Sequence, residues 1–140
     1  MRKVLSCGVI FFLVMLFPIG LMAADNTAEA DKLFRLGGLE NYKQPIALLE
    51  KDLAANPDSY EANWKCARAY REYGDEAKSK KIEGWKDICA EYGKKGMQYA
   101  QKAFELEPNR PDGHYYYGLN VGIYSDGVSI FTALSEGLKD

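Results

Sequence analysis

The chain has 140 residues, which is enough for one domain with a packed core. Its 18 basic and 20 acidic residues give a formal net charge of −2, and the basic residues do not gather in one half of the chain. We therefore expect no nucleic-acid partner.

The first residues have the pattern of an export signal. Arg2 and Lys3 precede a run without charged residues from Val4 to Ala24, which contains an apolar stretch and then Pro18. We therefore predict a signal peptide over residues 1–23 and a secreted or periplasmic protein. The alternative is an uncleaved segment that anchors the protein, since about 20 apolar residues can span a bilayer. Contact with a membrane is expected only in that case.

The rest of the chain is predicted to be all-α. A flexible segment, residues 24–30, precedes a helical repeat domain over residues 31–140. The first helix is expected from Asp31 to Leu39, where Gly37-Gly38 interrupts it. The second helix is indicated by apolar residues that recur every three or four positions, namely Ile46, Leu49 and Leu53.

An internal repeat follows. The segment Pro57 to Asp75 recurs later in the chain as Pro108 to Asp126, with residues matched by physical type. Three such pairs are Trp64 with Tyr115, Ala67 with Gly118 and Tyr73 with Tyr124. In each copy, an aromatic residue near the helix start is followed by a small residue that permits close approach of a neighbouring helix. A repeat of this kind predicts a binding protein built of stacked helices.

Between the two copies, apolar or small residues alternate at spacings of three and four: Ile82, Trp85, Cys89, Tyr92, Gly96, Tyr99, Ala103 and Leu106. We therefore predict a turn at Gly74-Asp75 and then one elongated helix from about Lys78 to Leu106. Gly93 and Gly96 weaken such a helix, so we expect each to permit close contact with another helix.

The second copy leads to an incomplete end. Gly118 and Gly122 form a face of small residues and predict a close neighbouring helix. A last helix is indicated by Val128, Phe131, Leu134 and Leu138. This unit lacks the second half that the preceding unit has. Two explanations stay open: the chain is part of a longer repeat protein, or this end is buried by self-association.

These motifs are similar to those of the tetratricopeptide repeat family. The resemblance rests on the small residues Ala67 and Gly118, on Gly74-Asp75, and on Ala103 followed by Leu106-Glu107-Pro108. The lengthened hairpin resembles the branch that contains the T component of TRAP transporters and the regulators of microtubule dynamics. The resemblance implies antiparallel helix hairpins stacked as a short solenoid, with a concave groove lined by the first helix of each hairpin.

The resemblance also implies a candidate partner-binding surface, on which Arg68 and Arg71 form a basic spot suited to a carboxylate. Carried over to this chain, the groove presents Glu61, Trp64, Arg68, Arg71, Glu72, Asp112, Tyr115, Leu119 and Ile123. We expect an exported scaffold that binds a partner protein or an extended peptide there. The alternative is a periplasmic transporter accessory, similar to the T component, that handles a small apolar ligand.

No motif indicates catalysis. His114 is the only histidine, and no nucleophile or base accompanies it in a recognisable pattern. Cys66 and Cys89 are too far apart for a zinc knuckle, so we expect no metal ion and no cofactor. They could instead form one disulfide or remain as two buried thiols. We expect that the protein is not an enzyme.

Overall fold

The computed structural model describes residues 26–129, 131, 132 and 135. The signal peptide predicted over residues 1–23 lies outside the described residues, as does much of the predicted last helix. Within residues 26–129 the chain forms helices and no strand, so the predicted all-α class is confirmed. The helices are α1 (Asn26–Leu36), α2 (Leu39–Ala55), α3 (Tyr60–Ser79), α4 (Trp85–Leu106) and α5 (Pro111–Gly127).

Helix α1 begins earlier than the predicted start at Asp31, within the segment expected to be flexible. Ala30 is 1% exposed and packs in the core, and the Asn26 side chain donates a hydrogen bond to Asp52 of α2. These contacts explain why helical structure extends to Asn26. The turn into α2 uses Gly37 and Gly38, whose φ angles of 67° and 89° are rarely adopted by other residues.

The turn between α3 and α4 lies later in the chain than predicted. Helix α3 continues through Gly74-Asp75, because Gly74 lets Ile123 of α5 pack where a Cβ would collide. The chain reverses instead at Lys81 and Gly84, which have φ angles of 50° and 70°. The single elongated helix predicted from Lys78 to Leu106 is therefore wrong. The extra length is shared between two long helices that pack against each other.

The helices form successive antiparallel hairpins, α1 with α2 and α3 with α4, and α5 packs on both α3 and α4. The first helices also contact each other, α1 with α3 and α3 with α5. Within the described residues, α2 and α4 make no such contact. We call the side formed by α1, α3 and α5 the first-helix face. This packing agrees with the predicted stack of hairpins.

The core of the first hairpins is built from large side chains. Leu49 of α2 is 1% exposed, and it lies in a cluster with buried residues of α3 such as Tyr70 and Tyr73. The Tyr73 ring stacks on Tyr92 of α4 at a centroid distance of 4.4 Å. Such rings each remove a large apolar area from water, so they hold α2, α3 and α4 together.

The contact between α4 and α5 is built from small residues instead. A Cβ on Gly93 would collide with the backbone of Tyr124, and a Cβ on Gly96 would overlap the side chain of Asn120. The predicted close contact at both glycines is therefore confirmed. Asn120 is fully buried, and its amide donates to the carbonyl oxygens of Ala67 at 3.1 Å and Tyr116 at 2.8 Å.

The outer side of α5 differs from its inner side. Among the described residues, nothing lies within 4 Å of a Cβ built on Gly118 or on Gly122. The close neighbour predicted for these two glycines is therefore not found in the described part of the chain. Self-association through this end stays a prediction.

Both described cysteines are free and buried, so the disulfide alternative is wrong and the buried-thiol alternative is confirmed. The late turn is the reason, since it places Cys89 beside Gly74, whose carbonyl oxygen lies 3.5 Å from Sγ. Cys66 comes before Gly74 in α3, at a distance of about 12 Å along the helix axis, so a disulfide cannot join Cys66 to Cys89. Burial raises the pKa of Cys89 to about 11 and also raises that of Cys66, so both remain thiols at neutral pH.

Candidate functional site

Aromatic rings, joined on the α1 side by the guanidinium of Arg68, form a strip across the first-helix face. We call Phe34 of α1, Trp64 of α3, and Tyr115 and Tyr116 of α5 the aromatic strip. Trp64 stacks on Tyr116 with ring centroids 5.8 Å apart, and Tyr115 meets Tyr116 edge to face at 5.1 Å. The guanidinium of Arg68 lies 3.9 Å from the ring centre of Phe34 and 5.1 Å from that of Trp64. The strip therefore connects all three first helices.

The predicted basic spot is occupied by acidic groups of this chain. Arg68 Nη2 lies 2.5 Å from Asp31 of α1. Burial opposes ionisation of Asp31, but hydrogen bonds from Lys65 and Arg68 hold the pKa of this carboxyl below its usual value. Arg71 pairs with Glu72 at 2.6 Å and lies 3.5 Å from a carboxylate oxygen of Asp75. A partner carboxylate would have to compete with these ion pairs.

Polar side chains fix the strip where α3 meets α5. Trp64 Nε1 donates to Glu61 Oε2 at 3.0 Å, and Glu61 Oε1 accepts from Arg110 at 2.9 Å. The Tyr60 hydroxyl donates to Asp112 at 2.9 Å, and the Arg110 guanidinium lies 4.0 Å from the Tyr60 ring centre. These contacts orient Trp64, and the acidic and basic groups around it are paired with each other.

The predicted partner-binding residues therefore have different environments. Tyr115 is 61% exposed and Leu119 is partly exposed on α5. Ile123 is 4% exposed and packs against Gly74, so it belongs to the core and cannot line a groove. The remaining members lie on the first-helix face as half-buried, hydrogen-bonded or ion-paired side chains: Glu61, Trp64, Arg68, Arg71, Glu72 and Asp112.

Two members of the aromatic strip are missing from the predicted surface. The predicted surface contains Tyr115, which aligns with Trp64 in the internal repeat, but Tyr116 is the ring that stacks on Trp64. The run of three tyrosines at 115–117 is a sequence signal for such a ring. Neighbouring positions of a helix face different sides, so a run of three can place one ring toward α3. Phe34 has no counterpart in the repeat, so its place in the strip had no sequence signal.

The described residues offer no site for a metal ion: they contain no group of three or more histidine, cysteine, aspartate or glutamate side chains that could hold one. His114 is exposed, its ring stacks on Phe104 at 4.8 Å, and its Nε2 lies 2.9 Å from the carbonyl oxygen of Pro108. These contacts give His114 a packing role at the start of α5. Across the same described ranges, no helix has the length and apolar content needed to cross a membrane.

Stacked hairpins whose first helices share a partly exposed aromatic surface define a helical protein of repeat-like architecture. The family model described as "Regulator of microtubule dynamics protein 1-3" matches residues 26–138. The chain therefore belongs to this family, which confirms that part of the predicted resemblance. No curated protein and no solved structure matches the chain significantly.

Proposed function

We propose that this protein is a scaffold that binds a partner protein through the first-helix face. The observation that carries the proposal is the aromatic strip, in which Tyr115 projects from the surface beside the stacked pair of Trp64 and Tyr116. Exposed aromatic residues are enriched at protein interfaces and contribute much of their binding energy.

The strip is rigid before any partner arrives. Trp64 is held on one side by its hydrogen bond to Glu61 and on the other by Arg68, which is itself paired with Asp31. A surface that is already ordered loses less conformational entropy on binding, which favours affinity. Arg68 thus supports the aromatic rings in this proposal, and direct capture of a partner carboxylate is secondary.

The name of the family suggests the first partner to test, which is the microtubule. The full chain should co-sediment with assembled microtubules, and Tyr115→Ala should raise the dissociation constant at least about fivefold in a co-sedimentation titration, since truncating an interface anchor commonly costs over 1 kcal/mol. The matched control is Leu36→Ala, which truncates another exposed apolar residue, 67% exposed, two positions after Phe34 and therefore on a different side of α1. Equal loss in both variants would contradict the assignment of the face. Absence of binding by the unmodified chain would reject microtubules as the partner.

We further propose that the hairpins are tetratricopeptide-type units, so that the first-helix face is the concave face of a short solenoid. The contacts of α1 with α3 and of α3 with α5 support this proposal, because they join every second helix along one side. The alternative of a transporter accessory for a small apolar ligand requires an enclosed apolar chamber. A groove among the described residues is open to solvent and carries two charged side chains, Glu50 and Lys102, so it is not such an enclosed chamber, which favours the scaffold.

The proposal also includes the cellular compartment in which the protein acts. The export signal predicted over residues 1–23 would bring the scaffold to a secreted or periplasmic location, where its partner would be a protein other than the microtubule. With an uncleaved membrane anchor, which is the alternative, the first-helix face could lie in the cytoplasm and reach microtubules. Cell fractionation with sequencing of the amino terminus tests this directly. A mature chain that begins near residue 24 in the soluble exported fraction is the expected result, and a full-length chain in the cytoplasm would contradict it.

A further inference from the structure

The side of the molecule formed by α2 and α4 carries a groove that the scaffold proposal does not use. We call it the α2/α4 groove. Its volume is about 530 Å³, within the range of small-molecule sites. It is lined by Glu50, Leu53, Ala54, Pro57, Asn63, Gln98, Tyr99 and Lys102.

One carboxylate lies at the inner end of the groove. Glu50 Oε1 accepts hydrogen bonds from the hydroxyls of Tyr70 at 2.5 Å and Tyr99 at 3.1 Å. Burial, together with the neighbouring Glu50 carboxylate, raises the pKa of both tyrosines far above the usual value. Both hydroxyls therefore stay protonated and hold the carboxylate in place without neutralising its charge.

The neighbouring lysines are paired with other acids. Lys102 Nζ lies 2.7 Å from Asp58, and Lys95 Nζ lies 3.0 Å from Glu91. Among the described residues, no ion pair reaches Glu50. Within the lining, Glu50 is thus the charged group without an ion pair, although Lys95 attracts it from beyond ion-pair distance.

Beside this charge the α2 wall of the groove is apolar. Leu53, Ala54 and Pro57 follow Glu50 toward the loop that leads into α3. A ligand that suits both features has a cationic end group and a short hydrocarbon chain. Tyr99 adds an aromatic ring near the cationic end, which also favours a positive charge.

We propose that the α2/α4 groove binds a small alkylammonium ion. Its ammonium group pairs with the Glu50 carboxylate, and its methylene chain lies along Leu53, Ala54 and Pro57. The ion pair gives the site its preference for a cation, since hydrogen bonds between charged groups are stronger than neutral ones. This site is independent of partner binding at the first-helix face.

The test compares hexylammonium with 1-hexanol, which has a hydrocarbon chain of the same length and no charge, by calorimetric titration of the full chain. Hexylammonium should bind at least about tenfold more tightly than 1-hexanol, which corresponds to the strength of a hydrogen bond between charged groups. The preference should fall below about twofold in Glu50→Gln, whose amide oxygen can still accept from the tyrosines. Glu83→Gln should retain it, because Glu83 lies in the exposed turn between α3 and α4.

A second variant keeps the test decisive if Glu50→Gln does not fold. Ala54 is exposed on the groove wall, so Ala54→Trp should fill the groove and abolish hexylammonium binding while Glu50 stays in place. Circular dichroism before each titration confirms that the variants are helical. Equal binding of the two probes, no binding of hexylammonium, or a cation preference that persists in Glu50→Gln or Ala54→Trp would overturn the proposal.

Discussion

Helix α4 meets its two neighbouring layers in opposite ways. Against α5 it presents Gly93 and Gly96, and the backbones approach so closely that no Cβ fits. Toward α2 it presents Tyr99 and Lys102, which line the α2/α4 groove, and the described parts of these two helices do not pack against each other. The comparison teaches that side-chain size along one helix decides which neighbour is packed tightly and which is separated by a usable cavity.

The largest expected effect is on the tight side. Gly93→Ala should lower the free energy of unfolding by about 3 kcal/mol, because the new methyl group collides with the backbone of Tyr124 and α5 must move. Urea denaturation followed by circular dichroism measures the change. A loss below about 1 kcal/mol would show that α5 can shift at little cost, and the contrast between the two sides of α4 would disappear.

The matched control for that substitution is Gly118→Ala, on the outer side of α5. No described residue lies within 4 Å of the new methyl group, so only helix propensity changes. Alanine is favoured over glycine inside a helix by about 1 kcal/mol, and we therefore expect Gly118→Ala to stabilise the protein by 0.5–1 kcal/mol. Destabilisation would indicate that this face is covered, for example by a second copy of the chain.

A smaller loss is expected from Asn120→Ala, about 2 kcal/mol, because the buried amide loses its bonds to Ala67 and Tyr116. The loss is limited because Asn120 Oδ1 is buried and has no hydrogen-bond partner. Gly96→Ala should be costly alone and much less costly in the Asn120→Ala background, where the overlapping side chain is gone. Urea denaturation of the four proteins measures this coupling, and additive effects would contradict direct contact between the two positions.

The smallest effect on stability is expected on the side of α4 that faces the α2/α4 groove, and it appears only at high pH. Burial and Glu50 raise the pKa of Tyr70 above the unfolded value of about 10, so above pH 10 the unfolded chain loses a proton that the folded chain keeps. Stability that is fully present below pH 10 should then fall by up to about 1.4 kcal/mol per pH unit. Tyr70→Phe should reduce this slope in urea titrations between pH 9.5 and 11, while Tyr99, whose pKa is also raised, keeps its own contribution. An unchanged slope would contradict the conclusion that burial raises the pKa of the Tyr70 hydroxyl.

Much of the fold could be predicted, because its helices follow apolar periodicity. The spacing that indicated a continuous helix is correct within α4, where Cys89, Gly96 and Ala103 are all buried. The position of the turn could not be predicted, since Gly74 and Gly84 look alike in sequence. The first permits contact with α5 inside a helix, and the second adopts a left-handed conformation in the turn.

The candidate site was predicted less completely, because its contacts join distant parts of the chain. Nothing near Arg68 in sequence announces that Asp31 of α1 neutralises it. Ile123 had a usable signal: it replaces Glu72 in the internal repeat, and the change from a charged to an apolar residue is typical of burial. Asn120 had none, since its role depends on the backbone of another helix.

The stack of Trp64 on Tyr116 has an optical consequence. The chain contains two tryptophans, and the other, Trp85, lies at the start of α4. Trp64 is enclosed by an aromatic ring, a guanidinium and the carboxylate of Glu61, so its emission depends on the arrangement of the first-helix face. In a Trp85→Phe background the protein carries its own single fluorophore within the proposed interface, and a partner that settles there would be reported without any added label.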